Sequence, residues 1–274
     1  IDDGINDKFE YIPKVVPFNK AIPKKKISSN NENENSEMVS HGTLMAGIIG
    51  NKCIYNNHFL GIAPQVQIID IPPTNHDTII RISNVLHVFD VIIRRRLSLD
   101  ILLISFTTLE SSDGNDVLSR ACNKLVKKGI TIVCPAGNFG PESNTIGSPA
   151  AAKRVITVGA LTKSNTIAYY SGRGPTLNGK IKPDFCLLGS KISIPLTREK
   201  SIIFSGTSAA AAIAAGMIAI LKEINPTLRP KQIKKYLIKS CKLLRYEDMS
   251  QGWGTTNLES LFKVLKLSQV ESLN

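Results

Sequence analysis

The chain has 274 residues, of which 42% are hydrophobic and 20% are charged, and its formal net charge at pH 7 is +12. This length and composition allow one large α/β core, which excludes a disordered or fibrous protein. Uninterrupted apolar runs, such as residues 101–106, are far shorter than the roughly 20 residues that cross a bilayer, so we predict no membrane segment.

Basic residues are concentrated at positions 24–26, 94–96 and 231–245. A field of this sign favours acidic partners, anionic surfaces or nucleic acid. No zinc-ligand spacing, RNA-binding aromatic motif or recognition helix accompanies the charge. We therefore interpret these clusters as solvated surface and expect no nucleic-acid partner.

The first distinctive segment in chain order is residues 24–37, which is polar, charged and low in complexity. Such a composition predicts a surface loop, because it offers too few apolar side chains to pack. We interpret it as an insertion into a single domain that covers residues 1–274, and not as a domain boundary.

Apolar runs typical of buried strands then alternate with helical patterns. The predicted strands are residues 66–71, 100–106, 130–134, 155–160 and 192–195, and the predicted helices are residues 78–95, 117–128, 208–221 and 230–240. Buried strands separated by helices indicate right-handed βαβ units and a parallel sheet. The predicted fold class is therefore α/β.

Four segments carry polar groups suited to catalysis. Asp2 follows an apolar residue and lies two positions before Gly4, and His41 begins a helix with small neighbours. Asn138 lies among glycines after a buried strand, and Ser208 begins a helix of small residues. Each residue alone has an ordinary explanation as a turn, cap or packing residue. Their combination in the order Asp, His, Asn and Ser points to nucleophilic catalysis.

The motifs IDDGI, HGTLMAG, PAGNFGP and SGTSAAA, which contain these four residues, resemble those of the subtilisin-like serine proteases, the subtilase family. Nearly the whole chain shares the resemblance, through GIAPQVQI, SPAAAKRVITVGA, YYSGRGP, IKPD and GWGTTN. It implies a three-layer sandwich with a central, mostly parallel sheet and helices on both faces. It also implies Ser208 as nucleophile, His41 as general base and acid, Asp2 as orienting group and Asn138 as oxyanion-hole donor.

The resemblance also implies which residues bind substrate. The first specificity pocket would be lined by Ser105, Phe106, Thr107, Pro135, Ala136 and Gly137. None of these residues is charged, which favours apolar or uncharged substrate side chains. The family usually has glycine where this chain has Thr107, so we expect one wall of the pocket to be narrowed.

We predict no cofactor and no metal site. The five cysteines, an odd number without a Cys-x-x-Cys pair, argue against a disulfide framework or a zinc site. Many family members bind calcium after the His helix, but residues 51–57 offer amide oxygens without a carboxylate, which Ca²⁺ would favour.

Only Ile1 represents the strand that normally precedes the family's catalytic Asp. We expect the natural chain to extend upstream, because an acid at a free terminus would be held by almost no backbone hydrogen bonds. A propeptide is therefore a candidate partner. Localisation stays open between the cytoplasm and secretion.

The sequence leaves three hypotheses for function. The first is a serine endopeptidase that cleaves peptide or protein substrates, with restriction to a leader peptide or propeptide as a refinement. The second is a catalytically silent scaffold with a regulatory or binding role, motivated by the unsupported Asp2 and by Thr107. The third is a transpeptidase that resolves the acyl-enzyme with an amine.

Overall fold

The computed structural model of the protein describes residues 1–18, 39–73 and 80–271. The helices in these residues are α1 (His41–Gly50), α2 (Ile82–Arg95), α3 (Val117–Lys127), α4 (Thr207–Ile224), α5 (Pro230–Lys239), α6 (Asp248–Gln251) and α7 (Leu258–Glu271). The strands are β1 (Val15–Pro17), β2 (Ile54–Tyr55), β3 (His58–Phe59), β4 (Ile68–Asp70), β5 (Ile101–Leu103), β6 (Thr131–Pro135), β7 (Ile156–Leu161), β8 (Phe185–Leu188), β9 (Ile192–Pro195) and β10 (Ser201–Phe204).

Strands β5, β6, β7 and β8 form a parallel sheet in that order. Strands β1 and β4 form a second parallel pair. The pairs β2–β3 and β9–β10 are antiparallel. The prediction of an α/β fold with a mostly parallel sheet is therefore confirmed.

The two faces of the main sheet are covered by different helices, as the alternation of side chains along β6 demonstrates. Ile132 and Cys134 pack into a core cluster with residues of α2 and α3. Val133, which points the other way, packs with residues of α4, α5 and α7. This arrangement confirms the predicted three-layer sandwich.

Helix α4 is the central helix of the second layer. It is long and apolar enough to cross a bilayer by composition alone, but 67% of it is buried within the domain. Ala210, Ala211 and Ala214 are among its fully buried residues. Small side chains let the helix lie close to the sheet, and the prediction of a helix buried on nearly all sides is confirmed.

A cavity of about 430 Å³ lies between β4 and β5, lined by both strands and by residues of α1 and α4. Ile1 lies at one end of this cavity and pairs with the chain around β5. Its amino group donates to the Leu103 carbonyl at 2.6 Å, and Ser105 N–H donates to the Ile1 carbonyl at 3.3 Å. Asp2 thus follows a residue that is hydrogen-bonded on both sides. The upstream extension stays a prediction.

Most predicted elements occur within a few residues of their expected bounds. The helix predicted at residues 78–95 begins at Ile82 instead of residue 78, and residues 78–79 lie outside the described part of the chain. The predicted strand at residues 100–106 ends at Leu103. The predicted loop at residues 24–37 also lies outside the described residues, and its place in a single domain stays a prediction.

A buried ionic cluster lies where β7 and β8 meet α5. Lys182 Nζ lies 2.8 Å from one oxygen of Asp184, and Lys234 Nζ lies 2.8 Å from the other. Lys182 Nζ also donates to the Val155 carbonyl at 2.9 Å. Burial lowers the pKa of Lys182 to about 7, although the Asp184 charge opposes this. Burial disfavours the Asp184 anion, but the two lysines together lower the pKa of its carboxyl.

Replacing Asp184 should destabilise the fold strongly, because Asp184→Ala leaves buried amines without their counter-charge. We expect the free energy of unfolding to fall by about 3–5 kcal/mol. Denaturant unfolding followed by circular dichroism measures this loss. The control is Asp90→Ala, which removes an exposed pair with Arg94 and should change stability by less than about 1 kcal/mol. Equal losses in the two variants would contradict the prediction.

Candidate active site

Asp2 and His41 are joined at the start of α1. His41 Nδ1 lies 2.8 Å from Asp2 Oδ1 and 2.9 Å from Asp2 Oδ2. Ser40 caps the helix by accepting a hydrogen bond from Thr43 N–H at 3.2 Å, which satisfies one of the free amides of the first turn. The cap and the carboxylate together orient the imidazole.

Gly42 allows the helix to approach the segment that carries Asp2. A Cβ atom built on Gly42 would lie 2.4 Å from the Gly4 carbonyl oxygen and 3.2 Å from Asp2 Cβ. The first of these contacts involves backbone, which cannot swing aside as a flexible side chain could. The absence of a side chain at Gly42 therefore lets the imidazole of His41 come close to Asp2.

Ser208 lies on the far side of the imidazole. His41 Nε2 is 2.9 Å from Ser208 Oγ, so the ring bridges the carboxylate and the hydroxyl. Ser208 is the second residue of α4, where backbone N–H groups have no partner within the helix. The helix dipole also favours negative charge at this end. The structure thus brings Asp2, His41 and Ser208 into one hydrogen-bonded chain.

The pKa values of this chain reflect its geometry. Burial favours the neutral imidazole, but the Asp2 hydrogen bond and charge, with the Asp3 charge, raise the pKa of His41 above its ordinary value. Burial likewise opposes ionisation of Asp2, but the His41 hydrogen bond and charge lower the pKa of its carboxyl. The pair therefore favours a charged carboxylate that can stabilise an imidazolium ion.

Asn138 lies beside the start of α4, where Thr207 orients its amide. Asn138 Oδ1 accepts hydrogen bonds from Thr207 N–H at 2.9 Å and from Thr207 Oγ1 at 2.8 Å. A backbone N–H can only donate, so the atom that faces it must be the amide oxygen. Asn138 Nδ2 is consequently directed away from Thr207, and its two N–H groups are available for another acceptor.

Three contacting residues were not singled out from the sequence. Thr207, just described, is one, and it lies in the same SGTSAAA motif as the serine. Asp3 accepts hydrogen bonds from the backbone N–H groups of His41 at 3.0 Å and Gly42 at 2.7 Å. Phe204 meets the His41 ring edge-on, with 5.5 Å between the centroids. Asp3 could have been found from the sequence, because it is the second Asp of the IDDGI motif. No sequence signal pointed to Phe204.

The six residues expected to bind substrate follow β5 and β6. Ala136 is fully buried and Ser105 nearly so, and Phe106 packs partly against the core. These three side chains are therefore directed mainly into the protein interior. A substrate at this position would contact mainly the backbone of the two segments. The two segments approach closely, because a Cβ atom built on Gly137 would lie 3.0 Å from Thr107 Cγ2. Substrate binding by the six residues stays a prediction.

Metal binding has little support in the described part of the chain. No three His, Cys, Asp or Glu side chains are grouped there as a metal site requires. All five cysteines are free, and Cys122, Cys134 and Cys186 are buried. The expectation of no cofactor stays a prediction.

Comparisons with known proteins agree with this geometry. Serine protease AprX of Bacillus subtilis is 30% identical over 263 residues, which cover 84% of this chain and 59% of AprX. Subtilisin-like protease SBT6.1 of Arabidopsis thaliana is 29% identical over 265 residues, which cover 89% of this chain and 24% of that protein. The chain thus spans at most about three fifths of the length of these relatives.

Two solved structures share the fold. The protease domain of PatA aligns with a TM-score of 0.77 at 22% identity, covering 98% of this chain and 94% of that one. Prenylagaramide maturation protease PagA aligns with a TM-score of 0.71 at 22% identity, covering 84% of both chains. A sequence model of the subtilase family matches residues 1–254. The chain therefore belongs to the subtilase family.

Proposed function

We propose that this domain is a serine endopeptidase. The observation that carries the proposal is the continuous hydrogen-bonded chain from Asp2 through His41 to Ser208, at distances of 2.8 Å and 2.9 Å. A hydroxyl and an imidazole within 3.2 Å meet the geometric requirement for a nucleophile and its general base. Family membership supports the same activity.

Acylation would begin when Ser208 Oγ attacks the scissile carbonyl carbon. His41 Nε2 takes the hydroxyl proton, and Asp2 stabilises the imidazolium ion that forms. His41 then gives the proton to the leaving amine, and the C–N bond breaks. The product is an acyl-enzyme at Ser208 with His41 neutral again.

Deacylation would repeat these steps with water as the nucleophile. His41 Nε2 takes a proton from water as its oxygen attacks the ester carbon, and then returns a proton to Ser208 Oγ. An amine in place of water would instead form a new peptide bond. We favour hydrolysis, because the relatives AprX and SBT6.1 are both named as proteases.

The tetrahedral intermediate would carry its negative charge toward Asn138 Nδ2 and the Ser208 backbone N–H. Thr207 holds the Asn138 carbonyl oxygen by two hydrogen bonds, so the amide N–H groups need no reorientation during the reaction. Such donors stabilise the transition state more than the ground state.

Asn138→Leu should lower kcat by about 10²–10³-fold, the loss measured for the equivalent donor in a subtilisin. KM should change little, because the donor acts mainly in the transition state. Steady-state kinetics on a chromogenic peptide measure both constants. Thr207→Val is the graded control and should cost less, because it keeps the Asn138 amide. It removes one of the two bonds to Asn138 Oδ1 and the bond from Gly137 N–H to Thr207 Oγ1. An unchanged kcat in Asn138→Leu would exclude this oxyanion site.

We further propose that the natural substrate is a leader peptide or propeptide. Two structures with the same fold are described as maturation proteases, of prenylagaramide and of patellamide. The formal net charge of +12 would also attract an acidic segment of such a substrate.

Incubation with a peptide library, followed by mass spectrometry of the products, tests the proposed activity. We expect new termini whose summed masses exceed the substrate by one water, and none with Ser208→Ala. Joined products that lack the added water would indicate a transpeptidase. No product from a folded protein would favour the silent scaffold.

A further inference from the structure

Two chain segments that follow β5 and β6 lie side by side next to Ser208. The first segment still pairs with β6 directly after β5 ends, because Ile104 N–H donates to the Val133 carbonyl at 3.0 Å. The second segment reaches Gly137, whose N–H donates to Thr207 Oγ1 at 3.2 Å. Gly137 is thus one hydrogen bond from the residue that precedes the serine.

The side chain of Thr107, in the first segment, lies between two glycines. A Cβ atom built on Gly137 would lie 3.0 Å from Thr107 Cγ2, and one built on Gly147 would lie 2.7 Å from Thr107 Oγ1. Thr107 Oγ1 also donates to the Ser148 carbonyl at 3.2 Å. This bond and the restricted χ1 rotation of a β-branched residue hold the side chain in place. Thr107 therefore fills the space that the two glycines leave.

The chemistry of acyl transfer determines where a substrate side chain must lie. The scissile carbonyl carbon approaches Ser208 Oγ to about 3 Å, and its oxygen turns toward Asn138 Nδ2. The side chain on the acyl side of the bond branches from the neighbouring carbon. It therefore lies within a few ångströms of the segment that carries Gly137 and Asn138, beside which the Thr107 side chain lies.

We infer that Thr107 restricts the residue on the acyl side of the scissile bond to glycine, alanine or serine. This inference rests on the proposed endopeptidase function. Phe139 narrows the same place, because its ring lies 3.2 Å from a Cβ atom built on Gly137. A large apolar side chain would have to displace Thr107, with the loss of its hydrogen bond to Ser148.

The test compares substrates that differ only at this residue, with alanine or phenylalanine. The unmodified protein should cleave the alanine peptide with the higher kcat/KM. Thr107→Gly should raise kcat/KM for the phenylalanine peptide by about 10–200-fold, the range that small changes in pocket size produce. The readout is the ratio of kcat/KM for the phenylalanine peptide to kcat/KM for the alanine peptide, which should rise in this variant.

Two further variants separate the volume of Thr107 from its hydrogen bond. Thr107→Val keeps the volume and removes the hydroxyl, so the preference for alanine should remain. Thr107→Ser keeps the hydroxyl and removes the methyl group, so the preference should weaken. If Thr107 had a purely structural role, each variant would lower kcat/KM for both peptides by the same factor. The ratio of the two kcat/KM values would then stay unchanged.

The rate at which a small fluorophosphonate labels Ser208, measured in parallel, distinguishes two kinds of failure. Labelling with an unchanged substrate ratio in Thr107→Gly would overturn the inference and leave the proposed function intact. Equal cleavage of both peptides by the unmodified protein would do the same. Absence of labelling in the folded protein would overturn both.

Discussion

Ser208→Ala is expected to lower kcat for peptide hydrolysis by about 10⁶-fold, the loss measured for the nucleophile of a subtilisin. The variant removes the hydroxyl that His41 Nε2 contacts on α4 at 2.9 Å, so no acyl-enzyme can form. Alanine is a good helix former, and we expect the fold and KM to be retained. Single-turnover and steady-state kinetics with a fluorogenic peptide measure the loss.

Ser205→Ala is the matched control for this variant. Ser205 lies three residues earlier, and its hydroxyl accepts a hydrogen bond from Lys191 N–H at 2.9 Å. We expect its kcat to stay close to that of the unmodified protein. A double variant, Ser208→Ala with His41→Ala, should lose little more than Ser208→Ala alone, because the two residues act as a unit. Additive losses would contradict a shared mechanism.

Asp2→Asn is expected to lower kcat by about 10⁴-fold, as the corresponding change does in another serine protease. The amide cannot stabilise an imidazolium ion, and it can hold the ring in the wrong tautomer. The pH dependence gives a second readout. Asp2 raises the pKa of His41, and His41 must be neutral to act as a base, so activity rises with pH through that pKa. Without the carboxylate the pKa falls, and the acidic limb should move to lower pH.

Asp3→Asn is the control for the charge of Asp2. The Asp3 charge also raises the pKa of His41, as the smallest of the named influences, but Asp3 hydrogen-bonds the backbone of His41 and not the ring. Asparagine keeps one acceptor oxygen, whereas Asp3 accepts the N–H groups of His41 and Gly42 through two different oxygens, so one of these two bonds is lost. We therefore expect a smaller displacement of the acidic limb and a modest loss of rate. An acidic limb that moves to higher pH in Asp2→Asn would refute the assigned geometry.

The polar residues of the site could be predicted because each lies in a short motif at an element boundary. His41 and Ser208 lie in the first turns of α1 and α4, and Asn138 follows β6 after two residues. Their small neighbours are visible in the sequence, and the close approach at Gly42 is the structural reason for them. Order and local pattern therefore carried the prediction.

The contacts that support these residues could not be predicted, because they join distant parts of the chain. The bond from Thr207 to Asn138 spans 69 residues, and its direction depends on how α4 docks beside β6. The cap that Asp3 provides to α1 spans 38 residues. The position of Thr107 between two glycines likewise depends on packing. In each case the sequence gives the type of side chain, but it does not show which distant residue that side chain contacts.

Two parts of the sheet were also missed for physical reasons. Strand β8 has only four residues, and three of them are buried, so it shows no alternation of apolar and polar side chains. Strands β4 and β5 belong to separate sheets and both line the cavity, and this placement has no local signal in the sequence. Helices α2 and α3, by contrast, have clear amphipathic patterns and were predicted within a few residues.

The central claim is that Ser208 is an activated nucleophile, and mass spectrometry after exposure to a fluorophosphonate tests it most directly. We predict one adduct per chain, located on Ser208 by peptide mapping, with labelling that slows as pH falls through the pKa of His41. Ser208→Ala should give no adduct at this position. A folded protein that remains unlabelled, or an adduct that persists in Ser208→Ala, would contradict the account.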